Sequence, residues 1–189
     1  ISSNRTGAGT AGTYTAGLLF GGSVAPVTAV NESWNGSAWT EVGDLNTART
    51  RSLGQSVGTQ TAAMMIGGEG VTVTEQWNGS SWTEVNDLNS PREIGGGNGI
   101  VTSALAVSGR LVGPSAVSAL VEAYDGTSWT EVNDVSTGRV YTSATGTGSG
   151  NNNQQSLFYG GATSGSTANT TATEEFAAAD FVVNTLTTS

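Results

Sequence analysis

The sequence predicts an all-β domain: a β-propeller of four four-stranded antiparallel blades, either a four-bladed ring or part of a larger propeller. Three observations predict it. One block of sequence recurs four times at a fixed internal phase. Each copy holds a short apolar run that ends in small residues, too short for a helix and suited to a buried strand. Three of the copies place Asn-Gly or Asp-Gly between two stretches of strand character, a strong hairpin signal.

The phase is set by an arginine and a triplet. Arg5, Arg49, Arg92 and Arg139 open the copies, at steps of 44, 43 and 47 residues. Within each copy a Glu stands two residues before an aromatic, and a second aromatic follows five residues later. The triplets are Glu32–Trp34–Trp39, Glu75–Trp77–Trp82, Glu122–Tyr124–Trp129 and Glu174–Phe176–Phe181. The blades fall at approximately 5–48, 49–91, 92–138 and 139–189, within a single domain over 1–189.

The second copy shows the elements in order. "TRSLGQSVGTQ" is a Gly-containing first strand and turn. "TAAMMIGG" is the buried second strand, stopped by Gly67-Gly68. "VTVTEQW" alternates and is β-branched, giving the third. Asn78-Gly79 makes the hairpin, expected as a type I′ turn with φ > 0 at both residues. "SWTEVNDL" is the fourth. The hairpin recurs at Asn35-Gly36 and Asp125-Gly126, but the fourth copy has Ala177-Ala178 there. That copy also carries a polar insertion, "GSGNNNQQS", expected in solvent. Terminal repeats are often atypical, because a neighbour is missing or different.

Composition narrows the function. The 189 residues carry 6 Arg and no Lys or His, against 15 Asp and Glu, for a formal charge of −9. Nucleic acid needs a basic footprint that six scattered arginines do not make. An anionic membrane surface is disfavoured for the same reason. No apolar run approaches the roughly 18 residues of a membrane-spanning helix. The absence of Cys leaves the redox compartment unread. No signal peptide is visible, and a start at Ile1 is expected of a processed chain or a segment of something longer.

An apolar run closed by two glycines, an aromatic, a Trp shortly after, and an Arg heading the next unit together resemble the kelch repeat. The glycine pairs are Gly21-Gly22, Gly67-Gly68 and Gly160-Gly161, with Ser108-Gly109 in the third copy. The resemblance covers nearly the whole chain. It implies a propeller and, more often than not, a binding scaffold. In style, "WNGSSWTEVNDLN" resembles kelch-like structural and tail-associated proteins of bacteriophages. That narrower likeness implies a virion or extracellular location and contact with other structural chains.

Little in the sequence supplies catalysis. Without His and Cys there is no zinc–His site, no Ser–His triad and no thiolate nucleophile. The copper site of oxidase-type kelch enzymes is excluded too. Asp44, Asp87 and Asp134 recur in three copies, which suits turn formers better than one asymmetric acid. The four repeat glutamates suit ion pairs with the heading arginines better than an acidic metal ring, since each Glu shares a strand face with its aromatic. Trp34, Trp39, Trp77, Trp82 and Trp129 occupy blade-packing positions, though a sugar-stacking ladder is the other use of such a set. Asn-x-Ser/Thr triplets begin at Asn4, Asn31, Asn35, Asn78 and Asn169, and the hairpin explains two of them.

The expectation is therefore a non-enzymatic structural or attachment module of a virion, such as a tail-fibre, tail-associated or decoration protein. It acts in assembly or host-surface binding, with no cofactor and no metal. Its expected partners are other virion or extracellular structural chains and host surface glycans, within an oligomeric assembly. Nucleic acid and membrane insertion are not expected. The other reading is a glycan-binding lectin propeller. Among the variable loops after the glycine pairs, "RLVGPSAVSAL" is the most apolar. Arg110, Leu111, Val112 and Pro114 are the candidate partner-binding residues.

Overall fold

The structure, a computed structural model, describes residues 1–23, 25–53, 57–111, 116–146, 155–163, 168–177 and 182–186. The first sheet is β1 (Gly9–Thr13), β2 (Ala16–Phe20), β3 (Asn31–Trp34) and β4 (Trp39–Val42). The second is β5 (Gly58–Thr59), β6 (Ala62–Ile66), β7 (Thr74–Trp77) and β8 (Trp82–Val85). A two-stranded ribbon pairs β9 (Arg92–Glu93) with β12 (Arg110–Leu111). The third sheet is β10 (Gly96–Ile100), β11 (Ser103–Val107), β13 (Val121–Tyr124) and β14 (Trp129–Val132). The fourth is β15 (Ser143–Gly146), β16 (Gln155–Tyr159), β17 (Thr173–Ala177) and β18 (Val182–Leu186). All strand pairs are antiparallel, each four-stranded sheet runs in chain order, and the described residues contain no helix. This is the predicted four-bladed propeller, with β1, β5, β10 and β15 innermost.

At each joint between successive blades, the trailing face of one is buried against the leading face of the next. In the first joint, Leu18 and Phe20 of β2 meet Ala63, Met65, Trp77 and Trp82 of the second blade. Phe20 and Trp82 meet with ring centroids 4.9 Å apart and planes tilted by 58°. The second joint packs Met64 and Ile66 on Ala106, Tyr124 and Trp129. The third packs Leu105 and Val107 on Phe158 and Phe176. The period of two explains the division: on β6, Met64 and Ile66 face forward while Met65 faces back. Side chains also reach across. Gln60 donates to Trp34 O at 2.6 Å and Ser33 Oγ at 2.9 Å, and Gln76 donates to Val101 O at 2.7 Å.

Each blade holds a buried Arg–Glu pair. Arg49 meets Glu75 at 2.5 Å and Arg92 meets Glu122 at 2.8 Å; Arg5–Glu32 and Arg139–Glu174 pair in the same way. The guanidinium also serves carbonyls of its own blade: Arg92 donates to Ser108 O at 3.0 Å and Leu120 O at 2.6 Å. The carboxylate holds the linker that arrives from the preceding blade. Glu122 accepts Asn89 N at 2.7 Å and Asn89 Nδ2 at 2.8 Å, and Glu75 accepts the same two groups of Asn46. Ser136 N fills this role on Glu174, and Ser2 N fills it on Glu32. Burial pushes Arg49, Arg92 and Arg139 below the ordinary arginine value, and the facing glutamate opposes that shift. All four arginines pair as their phase predicts.

The glycine pairs complete each joint. Both residues of every pair have positive φ, Ser108 at 59° included. The second glycine turns its N–H onto the carbonyl of the next heading arginine: Gly22 to Arg49 O at 2.9 Å, Gly68 to Arg92 O at 3.0 Å, Gly109 to Arg139 O at 2.9 Å. A Cβ on Gly21 would lie 2.5 Å from Arg49 O, so the first glycine also permits close approach.

Two details depart from expectation. The hairpins carry positive φ on Gly36, Gly79 and Gly126 alone, not on the preceding residue. Asn35, Asn78 and Asp125 instead use a side-chain oxygen to accept the N–H groups two and three residues on. That contact replaces the second left-handed residue of a type I′ turn. The N–H groups of Ser128 and Thr127 hold the Asp125 carboxyl below the usual carboxylate range. In the fourth blade the hairpin slides by one residue. Phe176 lies opposite Val183, whereas Trp77 lies opposite Trp82. The sequence lacks Asn-Gly at that place in the fourth copy. Phe181 and positions 148–154 of the polar insertion lie outside the described residues; the insertion's last two residues, expected in solvent, instead begin β16, with Ser156 buried against Asn98.

Two outcomes are expected from equilibrium chemical unfolding. Trp82→Ala removes the centre of the first joint and should cost about 3–5 kcal/mol. Trp39→Ala, at a half-buried position, should cost clearly less. Glu122→Gln leaves the Arg92 charge buried and uncompensated, and should cost about 3–5 kcal/mol.

Candidate functional site

The residue two positions after each heading arginine has a left-handed backbone. Gly7, Arg51, Ile94 and Tyr141 have φ of 63°, 58°, 51° and 54°. Such φ is uncommon outside glycine and costly for a β-branched residue such as Ile94, so neighbouring contacts must hold it. Main-chain bonds do so. Arg51 N donates to Gly7 O at 2.9 Å, Ile94 N to Arg51 O at 2.9 Å, and Tyr141 N to Ile94 O at 2.8 Å. A ladder of backbone bonds thus runs from the first blade to the fourth.

These residues line a central funnel of about 860 Å³. Its charged lining residues are Arg51 and Glu69. The rest of its polar wall is largely hydroxyl: Thr6, Ser23, Thr50, Ser52, Thr142, Ser143 and Thr145. Two tyrosines stand over it, Tyr141 at 60% exposure and Tyr159 at 41%. Such a wall suits an uncharged, hydroxyl-bearing ligand with a ring face to stack. Among the described residues it holds no pair of carboxylates for acid–base hydrolysis. Among the described residues, no group of three acidic side chains is arranged to hold a metal ion.

The sequence candidates fall in several places. The four glutamates and their arginines are spent in the blade joints. Asp44 and Asp87, expected as turn formers, instead follow the fourth strand and accept the N–H groups of Asn31 and Thr74 at the start of the third, at 3.1 and 3.2 Å. Trp77, Trp82 and Trp129 are buried, which removes them from a sugar-stacking ladder. Trp34 and Trp39 are half-buried on the first blade.

Arg110 and Leu111 form β12, both half-buried. Arg110 Nε donates to Glu93 at 2.9 Å, and this bond raises the arginine above its ordinary value. Arg51 approaches the same carboxylate at 3.7 Å, so Glu93 ties this loop to the funnel rim. Val112 and Pro114 lie outside the described residues. The funnel residues went unread in the sequence because Gly7, Arg51, Ile94 and Tyr141 share no chemistry. Their one common signal is their place, two residues after each repeat arginine.

The chain matches no family model and no curated protein by sequence. Its fold is similar to a solved structure of YjhT, with a TM-score of 0.78 at 14% identity. The match covers 99% of this chain and 70% of that one. At that identity the likeness bears on the fold alone, and it agrees with the propeller seen here.

Proposed function

We propose that this chain is a non-enzymatic β-propeller module of a virion, acting in assembly or in attachment to a host surface. One observation carries the non-enzymatic part: the repeat glutamates and arginines are committed to buried joints, which leaves a hydroxyl and tyrosine wall facing solvent. Chemistry of the glycosidase kind needs two carboxylates flanking one bond. Among the described residues the funnel offers Glu69 without a second. The virion setting rests on the likeness of the repeats to kelch units and to phage tail-associated proteins. The Lys-free acidic composition agrees with an extracellular particle and opposes a nucleic-acid role.

Tyr141 favours a second reading, that of a glycan-binding lectin. A phenol ring over a hydroxyl-lined funnel offers a stacking surface beside hydrogen-bonding groups, which is how a neutral sugar is held. The two readings meet if the module attaches a particle to a host glycan.

Immunogold labelling with antibodies against the chain should mark particles from its source, and particles left unlabelled would remove the virion reading. A panel of neutral oligosaccharides tests the lectin reading by calorimetry. Tyr141→Ala should weaken any binder at least about tenfold, the scale of one lost stacking contact, with the circular dichroism unchanged. Release of product from chromogenic glycosides would overturn the non-enzymatic assignment.

A further inference from the structure

The three joints between successive blades are built alike, and among the described residues the fourth is not made. Among the described residues, no hydrogen bond links the last blade to the first. The backbone ladder stops with Tyr141 C=O at one end and Gly7 N–H at the other. Gly161 N lacks the arginine carbonyl that Gly22, Gly68 and Gly109 each find. A Cβ on Gly160 would meet nothing within 4 Å, where Gly21 and Gly67 are crowded by the next arginine carbonyl.

The uncovered residues are those the repeat elsewhere buries. Leu157 and Tyr159 are 38% and 41% exposed, yet they match Leu18/Phe20, Met64/Ile66 and Leu105/Val107, all buried in joints. On the first blade, Ile1 is 55% exposed and matches the buried Leu45, Leu88 and Val135. Tyr14 is 92% exposed and matches Gln60 and Val101, half-buried residues that bond to the blade before them. Among the described residues five large apolar side chains are exposed, and four of them stand at these two faces. A chance scatter of exposed apolar residues does not follow the repeat phase.

We infer that the trailing face of the fourth blade receives the leading face of the first blade of a second copy of this chain. The chain carries both halves of a joint it already makes three times. Leu157 and Tyr159 would take the places of Leu18 and Phe20. Trp34, Trp39 and Tyr14 of the incoming copy would take those of Trp77, Trp82 and Gln60. Its Gly7 N–H would meet Tyr141 C=O, continuing the ladder. The contact is heterologous, so copies add in one direction.

Mixing of patch variants tests this. Sedimentation and light scattering should show the wild-type chain associating beyond its 19.0 kDa monomer, and dissociating on dilution. Leu157→Asp spoils the trailing face and Tyr14→Asp the leading face. Each variant alone should run as a monomer. Mixed, they should form a dimer and nothing larger, because each keeps the half that the other has lost. Tyr14 is almost wholly exposed, so its substitution leaves folding intact and keeps the test valid if Leu157→Asp is unstable. A wild-type chain that stays monomeric at high concentration overturns the inference. So does association that survives Tyr14→Asp unchanged.

Discussion

The buried pair of a heading arginine and a repeat glutamate holds each blade to its neighbour. One guanidinium joins the carboxylate to main-chain carbonyls of the blade it opens. The carboxylate then grips the linker arriving from the blade before. Taking both charges out of water is expensive, and the pair alone would return little of that cost. The arrangement persists because the terminal groups of the pair also have main-chain work: linker N–H groups on the carboxylate and strand carbonyls on the guanidinium, although the arginine Nε–H groups are buried without a partner. Neither a hydrophobic isostere nor a surface ion pair could do both. The aromatic pair adds area, while the ion pair fixes the angle at which the next blade arrives.

Most of the scaffold was legible because a repeat writes the same contact several times. The equal phase of Arg49 and Glu75 with Arg92 and Glu122 was enough to pair them before any distance was known. The aromatic positions were legible for the same reason. What stayed hidden was whatever breaks or ignores the repeat. The hairpins were assigned two left-handed residues, and Asn78 supplies a side-chain acceptor in place of one. The slide in the fourth hairpin moved Phe176 opposite Val183, which a spacing of five residues could not reveal. The funnel was invisible because its lining residues are set by backbone conformation, and Gly7 and Tyr141 have nothing else in common.

The commitment of charge to the joints also explains why function is hard to read here. Of six arginines, four are locked in buried pairs with the repeat glutamates, and Arg110 and Arg51 share Glu93. The surface that remains is rich in hydroxyl and amide groups. Such a surface recognises through shape and many weak bonds, not through one charged anchor.

The ladder of backbone bonds has a consequence for variation. Its bonds run between main-chain N–H and C=O groups, so they do not depend on which side chain each rung carries. Glycine, arginine, isoleucine and tyrosine already occupy equivalent rungs on one framework. The rungs therefore form a display in which chemistry can be exchanged while the architecture is conserved, limited by the strain that a left-handed backbone imposes. A lineage under pressure to change its target could rewrite the mouth of the funnel one rung at a time. A combinatorial library confined to residues 7, 51, 94 and 141 would sample the same freedom.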